Sequence, residues 1–223
     1  MAGSGRAGPY SAGMTWVREM VVGDAAAVSA VRVAGWRAAY AGVIPDAYLD
    51  AMSVERDAAR RAERFAAGRA AGLCDLVAAG ADGQVAGWAC CGPRGTPGDG
   101  PGAGEGELYA LYVRPGLLGR GVGRALLGAV HEEAAARGWG ALVLWVVEAN
   151  ARARRFYEAA GYRADGGAQS EEYAGVAVRE VRYRRVAGPF PGGPGQPSGV
   201  RRAGTRAAST PGPPCSAPPR SGT

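Results

Sequence analysis

Apolar residues in this chain follow two spacings, one typical of strands and the other of helices. Runs rich in apolar, β-branched and aromatic residues predict strands at 15–22, 73–79, 84–91, 108–113, 141–147, 162–164 and 175–184. Apolar positions three and four residues apart predict helices at 25–40, 54–67, 122–137 and 151–160. This mixture of strands and helices predicts an α/β fold.

Residues at the ends of these segments favour the same boundaries. Asp24, Ser53 and Asn150 each directly precede a predicted helix, and their side chains are of the types that cap helix N-termini. Gly138 and Gly161 follow two of the helices. Glycine is favoured there because the chain often adopts a left-handed conformation just after a helix.

The region before the central strand predicts a hairpin and a loop. Asp82-Gly83 separates two strand-like runs, which is a strong hairpin signal. The segment 92–106 contains no apolar residue larger than alanine or proline. We expect it to be a mobile loop, unusually long for a strand connection.

The most informative stretch runs from Tyr109 to Leu127 and predicts a strand, a glycine-rich loop and a helix. Pro115 ends the strand because it has no N–H group for a ladder. The loop contains Gly116, Gly119, Gly121 and Gly123. A glycine loop that opens a helix directs free backbone N–H groups at one point, where the helix dipole adds positive potential. Such a site binds a phosphate or pyrophosphate.

Spacing distinguishes three phosphate-binding motifs. A Walker loop requires lysine, and the chain contains none. A dinucleotide fingerprint requires G-x-G-x-x-G, but the sixth position from Gly119 is Arg124 and that from Gly121 is Leu126. The remaining pattern, Leu118-Gly-Arg-Gly-Val-Gly123, resembles the acetyl-CoA loop of the GCN5-related N-acetyltransferases, whose form is Gln/Arg-x-x-Gly-x-Gly/Ala.

Leu118 departs from this motif, because the family has Gln or Arg at that position. The departure removes one polar side chain but no backbone N–H, so the resemblance still implies cofactor binding. The alternative interpretation is a glycine-rich turn that only joins a strand to a helix.

A second motif strengthens the resemblance. Asn150 is followed by Phe156-Tyr157 and then by Gly161-Tyr162, in the order of the family's second signature. The resemblance covers roughly 15–186 and implies one GNAT-like domain with a central mixed sheet flanked by helices. The Gly- and Ser-rich segment 1–14 and the Gly-, Pro- and Arg-rich segment 187–223 are expected to be disordered tails.

The resemblance implies acetyl-CoA as co-substrate and no metal. In the family, backbone N–H groups of the loop hold the pyrophosphate of coenzyme A. The cofactor-binding residues that it implies are Leu111, Tyr112, Val113, Leu118, Gly119, Arg120, Gly121, Val122, Gly123, Arg124 and Asn150. A backbone N–H near Tyr112 or Val113 would polarise the thioester carbonyl. Asn150 would bind the pantetheine, cap its helix, or do both.

Acetyl transfer to an amine requires proton transfers, and the resemblance indicates two residues for them. An alkylammonium with a pKa of about 10.4 is no nucleophile until it loses a proton. Glu107, at the start of the cofactor strand, matches the position of a general base in several relatives; alternatively it is a solvated carboxylate. Tyr157 matches the tyrosine that donates to the coenzyme A sulfur; alternatively its ring only packs the helix.

The first helices of the family line the acceptor side of the cleft, so Trp36 and Tyr40 are candidate substrate contacts. Core or lid packing is the alternative for both. The acceptor, whether a small-molecule amine or a peptide or protein amine, stays open, and a homodimer is compatible with the resemblance. Two other functions also stay open: transfer of a different acyl group, and a non-catalytic acyl-CoA-binding or regulatory module.

The formal charge of +6 does not indicate nucleic-acid binding. Five arginines in the two ends, which contain no acidic residue, supply most of this excess: Arg6, Arg201, Arg202, Arg206 and Arg220. The region between them is close to neutral.

Other residue types exclude further functions. No apolar run is long enough for a membrane span, and 1–14 lacks the apolar core of a secretory signal. The cysteines show no paired metal spacing and predict reduced, packed thiols in a cytoplasm. The single histidine, His131, lies mid-helix beside two glutamates and is interpreted as a surface residue, which argues against a Ser-His-Asp hydrolase.

Overall fold

A computed structural model of the chain describes residues 15–95 and 104–186. Both predicted tails lie outside these residues, as does most of the predicted loop at 92–106.

The described residues form seven strands and five helices. The strands are β1 (Thr15–Glu19), β2 (Cys74–Gly80), β3 (Val85–Pro93), β4 (Glu105–Val113), β5 (Ala141–Val147), β6 (Arg163–Tyr173) and β7 (Val176–Val186). The helices are α1 (Ala25–Tyr40), α2 (Asp46–Asp50), α3 (Val54–Ala70), α4 (Val122–Ala136) and α5 (Ala151–Ala159). Short 3-10 turns lie at Val22–Asp24 and Pro115–Leu117.

All seven strands belong to one mixed sheet in the order β1-β2-β3-β4-β5-β7-β6. The β4–β5 pair is parallel, whereas the other neighbouring pairs are antiparallel. A parallel pair requires a crossover connection, which α4 provides. The predicted α/β class with a mixed sheet and flanking helices is confirmed.

Apolar side chains fill both faces of the sheet. On one face, Leu126 and Val130 of α4 belong to the larger cluster of buried residues, together with Cys91. On the other face, Val28 and Val31 of α1 pack with a cluster that includes Cys90. The adjacent cysteines therefore point to opposite faces, as strand alternation predicts.

Strands β4 and β5 are paired over only part of their length. Their register runs from Glu105 opposite Ala141 to Leu108 opposite Leu144. Beyond Leu108, β4 continues to Val113 with only β3 beside it. Beyond Leu144, β5 continues with only β7 beside it. The sheet is thus split between these two strands, and the candidate site is built around the split.

Two of the three predicted helix caps form as expected. The Ser53 hydroxyl accepts a hydrogen bond from the N–H of Arg56, and the Asn150 side chain accepts one from Ala153. Asp24 precedes α1, but its carboxylate does not cap that helix. It accepts two bonds from Arg18 and one from the N–H of Val21 instead. The 3-10 turn that this arrangement closes also ends β1 at Glu19, before the predicted end at residue 22.

The prediction for β6 was wrong. The sequence indicated a short strand at 162–164, but the strand extends over 11 residues to Tyr173. Most of these residues are exposed on the edge of the sheet, so they show no apolar alternation. Their extended conformation comes from pairing with β7. The short helix α2 was also not predicted.

Arg61 and His131 are both partly buried, although His131 was interpreted as a surface residue. The Arg61 guanidinium of α3 lies over the Trp88 ring, 4.1 Å from its centroid. The imidazole Nε2 of His131 lies 3.1 Å from the Tyr162 hydroxyl. Burial and the charge of Arg185 lower the pKa of His131 to about 4. The burial of both side chains arises from contacts between elements distant in sequence.

Candidate active site

The glycine loop presents backbone N–H groups at the start of α4. Gly119 and Gly121 have φ angles of 80° and 88°, a conformation that costs little only for glycine. The first helical hydrogen bond of the loop runs from Ala125 to Gly121. In the described part of the chain, the N–H groups of residues 121–124 have no backbone acceptor. Four donors are therefore available to an anion at the positive end of the helix dipole.

Side chains around this loop leave the N–H groups accessible. Leu118 is 40% exposed, and a β-carbon at Gly119 would have no atom within 4 Å. The guanidinium groups of Arg120 and Arg124 form no hydrogen bond or ion pair with the residues that the structure describes. Two guanidinium groups thus add positive charge beside the free donors.

The other predicted cofactor contacts lie at the end of β4. Leu111, Tyr112 and Val113 are its last three residues, beyond the pairing with β5. Leu111 and Val113 pack towards the face that α4 covers. Tyr112 points to the opposite face, where its ring stacks on Trp88 with 6.0 Å between centroids. The backbone edge between these two faces has no neighbouring strand, so it can pair with an extended ligand.

A pocket opens on the α1 face of the sheet, beside the split. It is lined by Trp36, Tyr40, Ile44, Glu107, Leu108, Tyr109, Tyr112, Trp145, Val147, Tyr173 and Glu180. Both predicted substrate contacts of α1 therefore belong to this pocket. Six of the eleven lining residues are aromatic, so the walls are mainly ring surfaces.

Glu107 lies in the pocket wall, on β4. Burial, the largest effect, raises its pKa to about 7 against the lowering influence of Arg94 and Arg182. The negative charge of Glu180 raises it further. The carboxyl group of Glu107 has no hydrogen bond or ion pair within residues 15–95 and 104–186. A carboxyl group in this state can accept and release a proton near neutral pH.

Glu180 is a second carboxyl group in the same pocket, and the sequence analysis missed it. It lies on β7, opposite Val147 of β5. Burial raises its pKa, while a hydrogen bond from Gln169 opposes this rise. One carboxylate oxygen accepts the Gln169 bond at 2.8 Å. No local pattern distinguishes Glu180 from the other glutamates, because its position depends on the pairing of β7 with β5.

Tyr173 and Trp145 were missed for the same reason. Tyr173 ends β6 next to the two-residue turn of the β6–β7 hairpin, and Trp145 follows Leu144, the last residue of β5 that pairs with β4. The Tyr173 ring lies 5.7 Å from that of Trp36. Their aromatic character was the only signal in the sequence, and it is shared by many core residues.

Tyr157 is buried on α5, at 8% exposure. Its ring contacts Phe156 and Tyr162 edge-on, at centroid distances of 5.2 and 5.8 Å. Its hydroxyl group has no hydrogen-bond partner among the described residues. Burial is the main cause that raises its pKa, and the neighbouring hydroxyls of Tyr162 and Tyr112 add to the effect. The phenol is therefore protonated at neutral pH.

Tyr40, which lines the pocket, is influenced electrostatically by Tyr157. Its pKa is raised mainly by burial, with further contributions from Tyr112, Tyr157 and Glu180. Both pocket tyrosines, Tyr40 and Tyr112, interact electrostatically with Tyr157, which links that residue to the pocket that contains Glu107. Asn150 caps α5 through the N–H of Ala153. It follows the end of β5, one of the two strands on either side of the split.

Two further properties of the described residues bear on chemistry. In 15–95 and 104–186, no group of three or more His, Cys, Asp and Glu side chains is arranged to hold a metal ion. The described helices include none that is both long and apolar enough to span a membrane.

The chain is similar in sequence to known acetyltransferases. Residues 37–162 match the model of the acetyltransferase (GNAT) family. The uncharacterized N-acetyltransferase YuaI of Bacillus subtilis strain 168 is 32% identical over 169 residues, which cover 75% of this chain and 91% of YuaI.

Solved structures show the same fold. PaiA N-acetyltransferase from Thermoplasma acidophilum, in complex with coenzyme A, has a TM-score of 0.60 and 18% identity, over 78% of this chain and 99% of PaiA. YncA from Salmonella typhimurium, with its cofactor acetyl-CoA, has a TM-score of 0.60 and 21% identity, over 80% of this chain and 97% of YncA. Since the family match covers more than half of the chain and YuaI is 32% identical over 91% of its own length, the chain belongs to the acetyltransferase (GNAT) family and is an acyltransferase.

Proposed function

We propose that this enzyme transfers the acetyl group of acetyl-CoA to the primary amine of an acceptor, by direct attack within a ternary complex. The observation that carries the proposal is Glu107, a carboxyl group with a pKa of about 7 in an aromatic pocket beside the split in the sheet. The acceptor would occupy the pocket on the α1 face. Acetyl-CoA would lie along the split, with its pyrophosphate at the start of α4.

The glycine loop suits the pyrophosphate. The N–H groups of residues 121–124 are free of backbone partners, and they converge at a helix N-terminus, where anions are stabilised. The guanidinium groups of Arg120 and Arg124 would add long-range attraction. Beyond them, the unpaired edge of β4 near Leu111 and Val113 would bind the pantetheine and polarise the thioester carbonyl.

Glu107 would take the proton of the acceptor amine. Proton transfer from an alkylammonium to an ordinary glutamate is strongly uphill, because their pKa values are about 10.4 and 4.3. The raised pKa of Glu107 reduces this difference, and a general base is most effective when its pKa is near the working pH. Entry into an aromatic pocket would also lower the pKa of the amine, since burial disfavours its charged form.

Tyr157 would serve the leaving thiolate. Its hydroxyl has no partner among the described residues, so it can donate to an incoming sulfur without losing an existing bond. Its raised pKa keeps the proton on the phenol at neutral pH. A thiolate is only moderately basic, with a thiol pKa near 8.5. A single donor is therefore sufficient to assist its departure.

The test is thiol release from acetyl-CoA with a panel of primary amines, with mass detection of the acetylated product. The chain contains no lysine, so acetylation of its own lysine side chains cannot contribute to thiol release. Glu107→Gln should lower turnover strongly, whereas Glu172→Gln, the same change at an exposed residue of β6, should not. The proposal fails if no amine accelerates thiol release, or if a larger acyl-CoA is clearly the better donor.

A further inference from the structure

The acceptor pocket contains more acidic groups than acetyl transfer requires. Glu107 alone satisfies the need for a base, yet Glu180 faces the same space from β7. Among the described lining residues, two are acidic and none is basic. We propose that the acceptor is a dicationic amine, whose reacting nitrogen lies at Glu107 and whose second ammonium group binds Glu180 between aromatic rings. This inference rests on the proposed acetyl transfer and specifies its substrate class.

The rings around Glu180 suit a cation. Trp36 and Tyr40 lie edge to face with centroids 5.1 Å apart, and the Tyr173 ring lies 5.7 Å from that of Trp36. The Arg32 guanidinium, which pairs with Asp57, already lies over the Trp36 ring, 5.1 Å from its centroid. Aromatic faces attract an ammonium group through their quadrupole, most strongly where water is excluded. A carboxylate beside such rings provides both the opposite charge and a hydrogen-bond acceptor. Aromatic walls also bind the methylene groups of an alkyl amine.

Glu180 has capacity for a ligand. Its Oε2 atom accepts the amide N–H of Gln169, and no hydrogen bond to its Oε1 atom is formed by the described residues. The charge of Glu171 lies close enough to disfavour its ionised form. The charge of Glu180 in turn disfavours ionisation of Glu107. A ligand with two positive charges would relieve this repulsion, whereas a monocation would neutralise only one of the two carboxylates.

The two arginines whose charges lower the pKa of Glu107 already have carboxylate partners of their own. Arg182 donates to Asp165 at 2.8 Å and its guanidinium lies over Trp145. Arg94 forms an ion pair with Glu105. Because both arginines already have carboxylate partners, they are poorly placed to receive an acceptor that carries a carboxylate. The pocket therefore favours a second ammonium group over a neutral or acidic group at the same distance from the reacting amine.

The experiment compares three acceptors with the same reacting amine and chain length: 1,5-diaminopentane, 1-aminopentane and 5-aminopentanoate. We expect kcat/KM to be roughly tenfold to hundredfold higher for the diamine than for the monoamine, the effect of one hydrogen bond to a charged group. The amino acid should be the poorest acceptor. Diamines with three and four carbons complete the series and locate the optimal separation.

Glu180→Gln provides the specific test. This change keeps the shape and an acceptor for Gln169 but removes the charge. It should reduce the preference for the diamine over the monoamine to within about threefold, because kcat/KM should fall more for the diamine than for 1-aminopentane. Glu172→Gln, an exposed glutamate on the same hairpin, removes the same charge outside the pocket and should keep the preference. The melting temperature of each variant reports whether the fold is intact.

The outcomes separate this inference from the acetyl transfer on which it rests. If the monoamine is acetylated as well as the diamine, or if Glu180→Gln keeps the preference, the dicationic acceptor is wrong while the transferase activity stands. If a peptide N-terminus is the better acceptor by more than tenfold, the inference is overturned in favour of a peptide. If no amine of any class is acetylated, the proposed function fails and this inference fails with it.

Discussion

The indole N–H of Trp36 donates a hydrogen bond to the Tyr112 hydroxyl, with 2.8 Å between nitrogen and oxygen. This bond joins α1 to the end of β4, two elements 76 residues apart. It connects the wall of the acceptor pocket to the strand beside which we place acetyl-CoA. A β-carbon at Gly35, the residue before Trp36, would lie 3.1 Å from the Tyr112 ring. The close approach of α1 to β4 therefore depends on that glycine.

Trp36→Phe tests whether this residue binds the acceptor or only packs the core. The variant keeps an aromatic ring but leaves the Tyr112 hydroxyl without its donor, so we expect a loss of about 1–3 kcal/mol in the free energy of unfolding. If Trp36 contacts substrate, KM for the acceptor rises while KM for acetyl-CoA stays within about twofold. Steady-state kinetics with each substrate varied in turn measures both constants. An unchanged acceptor KM, together with the loss of stability, would assign Trp36 to packing alone.

Tyr157→Phe tests the proton donor. The ring contacts with Phe156 and Tyr162 are kept, and no hydrogen bond to another described residue is lost, so the melting temperature should hardly change. We expect kcat to fall by roughly 10²–10⁴-fold, the usual effect of removing a positioned acid or base. Affinity for acetyl-CoA should barely change, since the phosphates contribute most of it. Parental turnover in the variant would mean that the thiolate leaves unassisted or that another group protonates it.

Glu107→Gln should alter the pH dependence of both rate and stability. The loss in kcat/KM should shrink as pH rises, because more of the amine is then already neutral. In the folded chain the pKa of Glu107 is about 7, above the usual 4.5 for glutamate. The folded chain therefore binds this proton more tightly than the unfolded chain, and its free energy of unfolding falls as pH rises from about 4.5 through 7.

The variant with glutamine cannot lose that proton, so it should melt at a higher temperature than the parent above pH 7 and show no such advantage near pH 4. Arg94 and Arg182 lower the pKa of Glu107, whereas Glu180 raises it. The pH dependence of stability in the parent therefore reflects the combined effect of all three residues. Thermal melts from pH 4 to 9, with Glu172→Gln as the matched change, give the comparison. If the Glu107→Gln variant shows the parent's rate profile at every pH, then ordered water or backbone carbonyls act as the base instead of Glu107.

Gly123→Val tests the pyrophosphate site. A β-carbon at Gly123 would meet the Phe156 ring at 3.5 Å, an ordinary contact, so we expect the chain to fold with alanine at this position and to retain most of its affinity. The two further methyl groups of valine would crowd the N–H groups of the first helical turn and should abolish acetyl-CoA binding in calorimetry. Gly128→Val is the control, because it lies in the same helix with no atom within 4 Å of its β-carbon position. If a folded Gly123→Val variant keeps the parent's affinity for acetyl-CoA, the cofactor binds elsewhere.

Asn150 can cap α5, bind the cofactor, or do both, and two substitutions separate these roles. Asn150→Ala removes the bond to the Ala153 N–H and should cost about 1 kcal/mol of stability. Asn150→Ser keeps a capping oxygen, so stability should stay close to the parent's. If Asn150 also contacts acetyl-CoA, the serine variant loses affinity despite its intact cap. Calorimetry and thermal melts on both variants measure these two effects. If the parent and the serine variant bind acetyl-CoA with equal affinity, Asn150 acts only as the helix cap.

Much of the fold follows from signals that are local in the sequence. The Asp82-Gly83 turn predicts the β2–β3 hairpin, and the apolar run predicts β5 at Ala141–Val147 with both ends correct. The glycine loop predicts the start of α4 at Val122, because the left-handed Gly121 precedes it. In each of these cases a few neighbouring residues determine the backbone conformation. The family resemblance rests on the same two motifs, which is why the sequence alone indicated the enzyme class.

The acceptor side of the site depends on contacts that no local pattern records. Glu180 and Tyr173 reach the pocket only because β7 pairs with β5 and the β6–β7 hairpin extends to its turn. The polar, mostly exposed sequence of β6 carries no strand signal, so its length is decided by the partner strand. The raised pKa of Glu107 likewise comes from burial by α1 and the sheet, and the lowered pKa of His131 from burial and Arg185. Desolvation and charge proximity are properties of packed elements, and only the tertiary structure sets them.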